Sequence, residues 1–199
     1  MSTLMLKSKV KLGCDICDKC CINRGDIKLT PMNVIEISKF LNISTNQFLQ
    51  KYTNRLLDEN PEIVLKAIEQ KNRCILNDKN TNMCTIHSVK PMQCVTFPLV
   101  PIDLENDIFF NQDTCVCKNK KEIKVIDWLN GKKGIYVKYK KMYIRWISLV
   151  EKIQKKWSYL SKQEQQKIYE LLFCDYNNKI TNIKHAVKKR FKAVEKLIK

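Results

Sequence analysis

The sequence predicts a mainly α-helical fold with short β-hairpins. The expected arrangement is a metal-stapled, cysteine-rich α+β domain followed by an α-helical, basic C-terminal region. Three observations carry this expectation. Nine of the ten cysteines precede residue 130. Residues 1–130 hold 18 Lys and Arg against 15 Asp and Glu, a net of +3, whereas residues 131–199 hold 19 against 5, a net of +14. From Ile135 onwards apolar residues recur at helical spacing. The two shifts in composition place a boundary near Gly131. They divide the chain into a cysteine-cluster metal-binding domain, 1–130, and a basic helical region, 131–199.

Composition narrows the class. Hydrophobic residues make up 44% of the chain, which is ordinary for a globular protein and too high for wholesale disorder. No apolar run approaches the ~20 residues a membrane helix needs. Lysines at 7, 9 and 11 are followed by no apolar block or cleavage site, so no signal peptide is expected and the expected location is cytoplasmic. Cytosolic reductants keep thiols reduced, so clustered cysteines there hold metal or do redox chemistry; in an exported chain they would be disulfides.

Local signals place the elements. Residues 10–25 combine a dense cysteine cluster with Gly13 and Gly25, which predicts a loop wrapped on metal. Asp26 to Leu29 is expected to be extended. Thr30 as N-cap and Pro31 at the first helical position open a helix, with Val34, Ile35, Ile37, Phe40 and Leu41 on its apolar face. Ser44 and Gln47 form a capping box for a second helix that buries Phe48, Leu49 and Tyr52. Asn60-Pro61 predicts a third, carrying Ile63, Leu65 or Ala67, and Ile68. Cys74-Ile75-Leu76 and Met83 to Ile86 flank a polar stretch, as in a hairpin or metal-bearing loop. Leu99–Leu104 and Ile108–Thr114 flank Glu105-Asn106-Asp107 as a second hairpin. Lys121–Asn130 is expected to be helical, with Gly131 as its stop. Tyr136, Tyr139, Tyr143, Ile147, Val150 and Ile153 line a long helix. Ser161 with Glu164 caps the next, which carries Ile168, Leu171 and Leu172. Ile180, Ile183, Val187, Val194 and Leu197 mark the last.

The strongest chemical signal is Cys14, Cys17, Cys20 and Cys21, a C-x2-C-x2-C-C run. Two-residue gaps let thiolates on one tight turn grip the same ion at small loop-closure cost. Thiolates are soft donors that select zinc, copper(I) or iron–sulfur centres over magnesium or calcium. Cys74, Cys84 and Cys94, with Cys115 and Cys117 as C-x-C, supply the remaining candidate ligands. His87 follows Cys84 as C-x2-H, a spacing that can complete a zinc site, although a surface histidine fits equally. His185 is expected at the surface. Cys174, among Leu171, Leu172 and Phe173, is expected to be core.

These residues make the chain resemble the YkgJ family of cysteine-cluster proteins, the CxxCxxCC zinc- or iron-chelating domain. The matching text is Cys14-Cys17-Cys20-Cys21, then Leu29-Thr30 before a helix, then Cys74-Ile75-Leu76-Asn77-Asp78. It ends with Cys84-Thr85-Ile86-His87-Ser88-Val89-Lys90-Pro91-Met92-Gln93-Cys94-Val95-Thr96-Phe97-Pro98. The resemblance covers residues 10–117 and implies a metal ion or cluster held by cysteines. Lys90 stands where the family carries arginine; an ammonium does not reproduce a bidentate guanidinium contact.

The metal is open between iron–sulfur and zinc. Eight or nine thiolates suffice for two closed four-sulfur zinc sites. C-x2-C-x2-C is also the run with which bacterial ferredoxins hold three corners of a cubane cluster, and the even spacing tips the expectation towards iron–sulfur. Two other functions remain. A related branch of cysteine-cluster proteins is associated with flagellin lysine N-methylation, so the resemblance admits a protein-lysine N-methylase. Yet the glycines at 13, 25, 131 and 134 form no S-adenosylmethionine loop, and the radical C-x3-C-x2-C run is missing. The basic region also suits an acidic protein or nucleic acid, with Tyr136, Tyr139, Tyr143, Trp146 and Trp157 interleaved among lysines for stacking. Core aromatics on amphipathic helices are the competing explanation.

Overall fold

The computed structural model describes residues 3–13, 19–22, 26–56, 60–68, 72–111, 117–130, 134–177 and 179–199. The first half runs β1 (Thr3–Leu4), β2 (Lys9–Leu12), a 3-10 turn (Lys19–Cys21), α1 (Pro31–Phe40), α2 (Thr45–Tyr52), β3 (Thr53–Leu56), β4 (Glu62–Leu65), β5 (Ala67–Ile68) and β6 (Arg73–Cys74). The second runs through a 3-10 turn (His87–Val89), α3 (Met92–Thr96), β7 (Leu99–Asp103), β8 (Ile108–Asn111), β9 (Lys121–Lys124), α4 (Val125–Asn130), α5 (Ile135–Trp157), α6 (Lys162–Phe173) and α7 (Ile183–Leu197). The fold is mixed α+β, with its strands in short antiparallel pairs.

The chain divides into two units. Unit one is Met1–Ile27 with Ala67–Ile144; unit two is Lys28–Lys66 with Arg145–Lys199. The boundary expected near Gly131 falls on residues 131–133, outside those described.

Unit one is built from hairpins and short helices. β8 pairs with both β1 and β7, and β2 pairs with β9 from Lys9↔Lys124 to Leu12↔Lys121. The expected 99–114 hairpin is present as β7 and β8 up to Asn111, and residues 112–114 lie outside those described. Its turn is braced from α5: the Tyr136 hydroxyl donates to the Asp107 carboxylate, and the Lys140 ammonium pairs with the same group at 2.7 Å. Burial, and then that carboxylate, pushes the Tyr136 phenol far above its usual range. The helix expected over Lys121–Asn130 is confined to α4. Its first four residues are drawn into β9, whose partner β2 lies more than a hundred residues earlier in sequence.

Unit two packs α1 and α2, with the β3–β4 pair, against helices from the end of the chain. Thr30 Oγ1 accepts from the Asn33 N–H at 3.2 Å, opening α1. The Ser44–Gln47 and Ser161–Glu164 boxes open α2 and α6 as expected. Val34, Ile35 and Ile37 are fully buried, whereas Phe40 is half exposed at the end of α1. The helix expected after Asn60-Pro61 is absent. Residues 62–65 form β4, paired with β3 from Thr53↔Leu65 to Leu56↔Glu62. Ile63, Val64 and Leu65 are all buried; a run covered on both faces is a buried strand, and spacing alone does not separate it from a helix.

Trp146 centres the unit-two core, meeting Phe173 edge-on at 5.9 Å and Phe191 at 5.8 Å. Arg190 of α7 closes the end of α6. Its Nη1 donates to the carbonyls of Leu171 (3.1 Å) and Cys174, and its Nη2 to that of Asp175 (3.0 Å). The guanidinium also lies 3.8 Å from the Tyr176 ring centre. A lysine keeps the charge but loses the planar fork that reaches several carbonyls at once. Arg190→Lys is therefore expected to destabilise the chain by about 1–3 kcal/mol, read as a lower urea midpoint with the slope unchanged.

Candidate metal centre

Every candidate ligand lies in a chain segment of unit one, and Cys174 lies in unit two. Cys14, Cys17 and Cys115 fall outside the described residues. Cys20, Cys21, Cys74, Cys84, Cys94 and Cys117 carry thiols, not disulfides. Cys20 is exposed, Cys74 buried, and the other four intermediate. Among the described residues no three His, Cys, Asp or Glu side chains come together as an ion-binding group.

The backbone nevertheless ties the Cys117 and Cys74 segments to the two flanks of the opening quartet, and further contacts link the Cys84 and Cys94 segments to them. On the near side, Gly13 directly precedes Cys14. It packs against Asn119, two residues beyond Cys117, so closely that an added Cβ would stand 2.4 Å from the Asn119 carbonyl oxygen. On the far side, Ile22 directly follows Cys21 and forms an antiparallel bridge with Arg73. Cys21 and Cys74 are thus the next positions on either side of one backbone bridge. Cys74 is also paired with Ala67 through β5.

A tight turn carries Cys84 back to Cys74. Asn77 bridges Cys84 in antiparallel fashion, the Asp78 N–H donates to Met83 O at 2.9 Å, and the Thr85 N–H donates to Leu76 O at 2.9 Å. This is the hairpin expected around Asn77–Asn82. Its chemistry is local. Asn82 takes a positive φ of 56°, which asparagine tolerates better than most residues. The Asp78 carboxylate accepts from the Asn80 N–H at 2.7 Å, and this holds its pKa below the usual value. Arg73 Nη1 donates to Asn77 Oδ1 (3.0 Å) and Asn82 Oδ1 (3.3 Å), so the residue beside Cys74 also braces the turn before Cys84. Cys94 sits on α3, where its N–H donates to Pro91 O at 2.9 Å. Its neighbour Gln93 donates through Nε2 to Asp26 Oδ2 at 3.2 Å, returning that segment to the chain just beyond the quartet.

The family model entitled "putative zinc- or iron-chelating domain", CxxCxxCC, matches residues 13–118, more than half the chain. The chain belongs to the CxxCxxCC family. No solved structure matches it significantly.

Other family positions are placed as follows. The Pro91-x2-Cys94-x2-Phe97-Pro98 string forms α3 and ends in a cis Phe97–Pro98 peptide. Lys90, at the family's arginine position, is buried at 8% exposure. His87 is exposed, and its N–H donates to Cys84 O at 3.2 Å. His185 is exposed on α7, as expected. Cys174 is not inside a helix but caps the end of α6, half buried. Desolvation first, then the Asp175 and Glu170 carboxylates, push its thiol up to about 11. It stays protonated at neutral pH and lacks the thiolate character of a ligand.

Two expectations about function are corrected or extended. Of the aromatics proposed for stacking on nucleic acid, Tyr136, Tyr139, Trp146 and Trp157 are buried in the core, and Tyr143 is intermediate. No described helix is long and apolar enough to cross a membrane. Sequence reasoning passes over Ile22 and Arg73, and it reads Gly13 only as a loop glycine. Each abuts a cysteine of the motif, and for Ile22 and Arg73 that adjacency is the only sequence signal they give.

Gly13→Ala tests the close approach. The added methyl has backbone, not a yielding side chain, in its way. The expected cost is about 1–3 kcal/mol, with less metal bound per chain. Full metal loading at an unchanged thermal midpoint would contradict this account of the glycine.

Proposed function

We propose that the CxxCxxCC domain of this chain holds an iron–sulfur cluster through thiolates drawn from Cys14, Cys17, Cys20, Cys21, Cys74, Cys84, Cys94, Cys115 and Cys117. One observation carries the reading. The Gly13–Asn119 approach, the Ile22–Arg73 bridge and the Gln93–Asp26 hydrogen bond each meet a residue flanking one cysteine run, and the Asn77–Cys84 bridge joins Cys84 to the Cys74 segment. Nothing in the small hydrophobic demand of such short strands requires nine cysteines. A soft cation does, because thiolates must be deprotonated and gathered to bind it.

The donor set fits either metal named by the family. Iron–sulfur is preferred because three cysteines at two-residue gaps match three corners of one cluster, and a distant cysteine can serve as the fourth. When bound, such a cluster supplies one-electron redox chemistry; zinc in the same ligands would supply folding energy alone. The chain's own contribution is to prepay loop closure at both ends of the run and to keep Cys174 out of the competition for metal.

Anaerobic purification followed by iron, zinc and acid-labile sulfide analysis tests the reading. Iron and sulfide in comparable amounts, with a broad visible absorption, are expected. Zinc without sulfide would sink the cluster and leave the chelation; neither metal would sink both.

Cys17→Ser is expected to release metal and unfold unit one, because binding free energy at such a site is folding free energy. Cys174→Ser is expected to keep full metal content. Equal metal loss in the two variants would show that the cysteines are wrongly partitioned.

A further inference from the structure

Unit two presents a charged face that the metal centre does not use. The exposed positions of α7 are Lys184, His185, Lys188, Lys189, Lys192 and Lys196. Its fully buried positions are Val187, Phe191 and Val194. The apolar side is therefore committed to the core, and the outer side is basic from end to end.

Helix stability does not call for this arrangement. Basic residues favour a helix C-terminus and disfavour the N-terminus, yet α7 has no acid in its first turn and opens on lysine and histidine. Lys184, Lys188, Lys192 and Lys196 follow one another at four-residue intervals, a spacing at which like charges repel. They form a ladder with rungs about 6 Å apart and about 18 Å long. Such a ladder is relieved by a linear polyanion lying along it.

A second feature adjoins the face. Trp146 meets Phe191 and, further along both helices, Lys152 meets Glu195 at 3.2 Å, so the later part of α5 approaches the later part of α7. The end of α5, with exposed Lys155 and Lys156, thus lies towards the Lys196 end of α7. Just beyond it stands Tyr159, 85% exposed and, among the described residues, the most exposed of the large hydrophobic side chains. An aromatic ring held in water beside lysines offers a base a face on which to stack, while the lysines take phosphates.

We propose that the Lys188–Lys192–Lys196 ladder and the Lys155–Lys156–Tyr159 corner bind single-stranded nucleic acid, independently of the metal centre. A duplex keeps its bases stacked and leaves Tyr159 without a partner. A membrane-surface helix needs outward apolar residues, and those of α7 point into the core.

The test uses the full chain with its metal content verified. A labelled mixed-sequence single strand, the matching duplex, and phosphatidylserine-containing vesicles are titrated over a range of salt. Single-strand binding is expected to be the tightest and to weaken with salt. The triple variant Lys188→Gln, Lys192→Gln, Lys196→Gln is expected to bind at least about tenfold more weakly and to flatten the salt slope by about 2. Its thermal midpoint should match or exceed that of the unaltered chain, because repulsion along α7 is relieved. Tyr159→Ala is expected to weaken binding about tenfold without changing the slope, and Tyr159→Phe to restore it. An unchanged slope in the triple variant, wild-type affinity in Tyr159→Ala, or tighter binding to duplex or vesicles would overturn the proposal. So would a lowered midpoint in the triple variant, which would make the lysines structural.

Discussion

Both ends of a short cysteine run are held by backbone, and the organisation of unit one follows from that constraint. Gly13 lies against Asn119 with no room for a methyl group, and Ile22 bridges Arg73. The closure entropy of a loop grows with the length left unconstrained. Residues 13 and 22, on either side of the run, are each fixed to a partner remote in sequence. The same two contacts place Cys117, two residues before Asn119, and Cys74, next to Arg73, on segments that meet opposite flanks of the run. Side-chain hydrogen bonds from Arg73 and Gln93 extend the arrangement to Cys84 and Cys94.

What the sequence revealed and what it concealed divide along the range of the interactions. Three helix starts were legible because each is written within four residues, in Thr30–Asn33, Ser44–Gln47 and Ser161–Glu164. The turn between Cys74 and Cys84 was legible for the same reason, since Asp78 and Asn82 shape it locally. Strands β4 and β9 were not. Whether Glu62–Leu65 is extended depends on pairing with β3, and whether Lys121–Lys124 is extended depends on β2, at the other end of unit one. The cysteine motif announced the chemistry, but the anchors beside it are an ordinary Gly, Ile and Arg whose partners are remote. Among aromatics, four of the five lysine-flanked residues that looked available are core. Tyr159, which has no periodic companions, stands in water.

Charge and packing partition this chain differently. Net charge changes sharply near residue 131 because the lysines of the last helices are exposed, and composition records surfaces well. Contact records interiors. By that measure Lys28–Lys66, with almost balanced charge, belongs with the basic helices, because Val34, Ile35, Ile37 and Phe48 need their apolar faces. The cysteine count follows the interior division, with Cys174 alone in unit two and chemically set apart by its raised pKa.

Unit two is assembled from two stretches separated by most of unit one. Lys39 donates to the Ile180 carbonyl, Asn46 meets Asp175, and Arg55 reaches Gln166 and stacks 3.6 Å over Tyr169. A ribosome releases residues 28–66 long before it makes those partners. The apolar side of α1 must therefore remain uncovered, or be sheltered by a chaperone, until residues 145–199 have been made. The cysteine-bearing segments, whose mutual anchors are complete once residue 119 has emerged, are free to take up metal first.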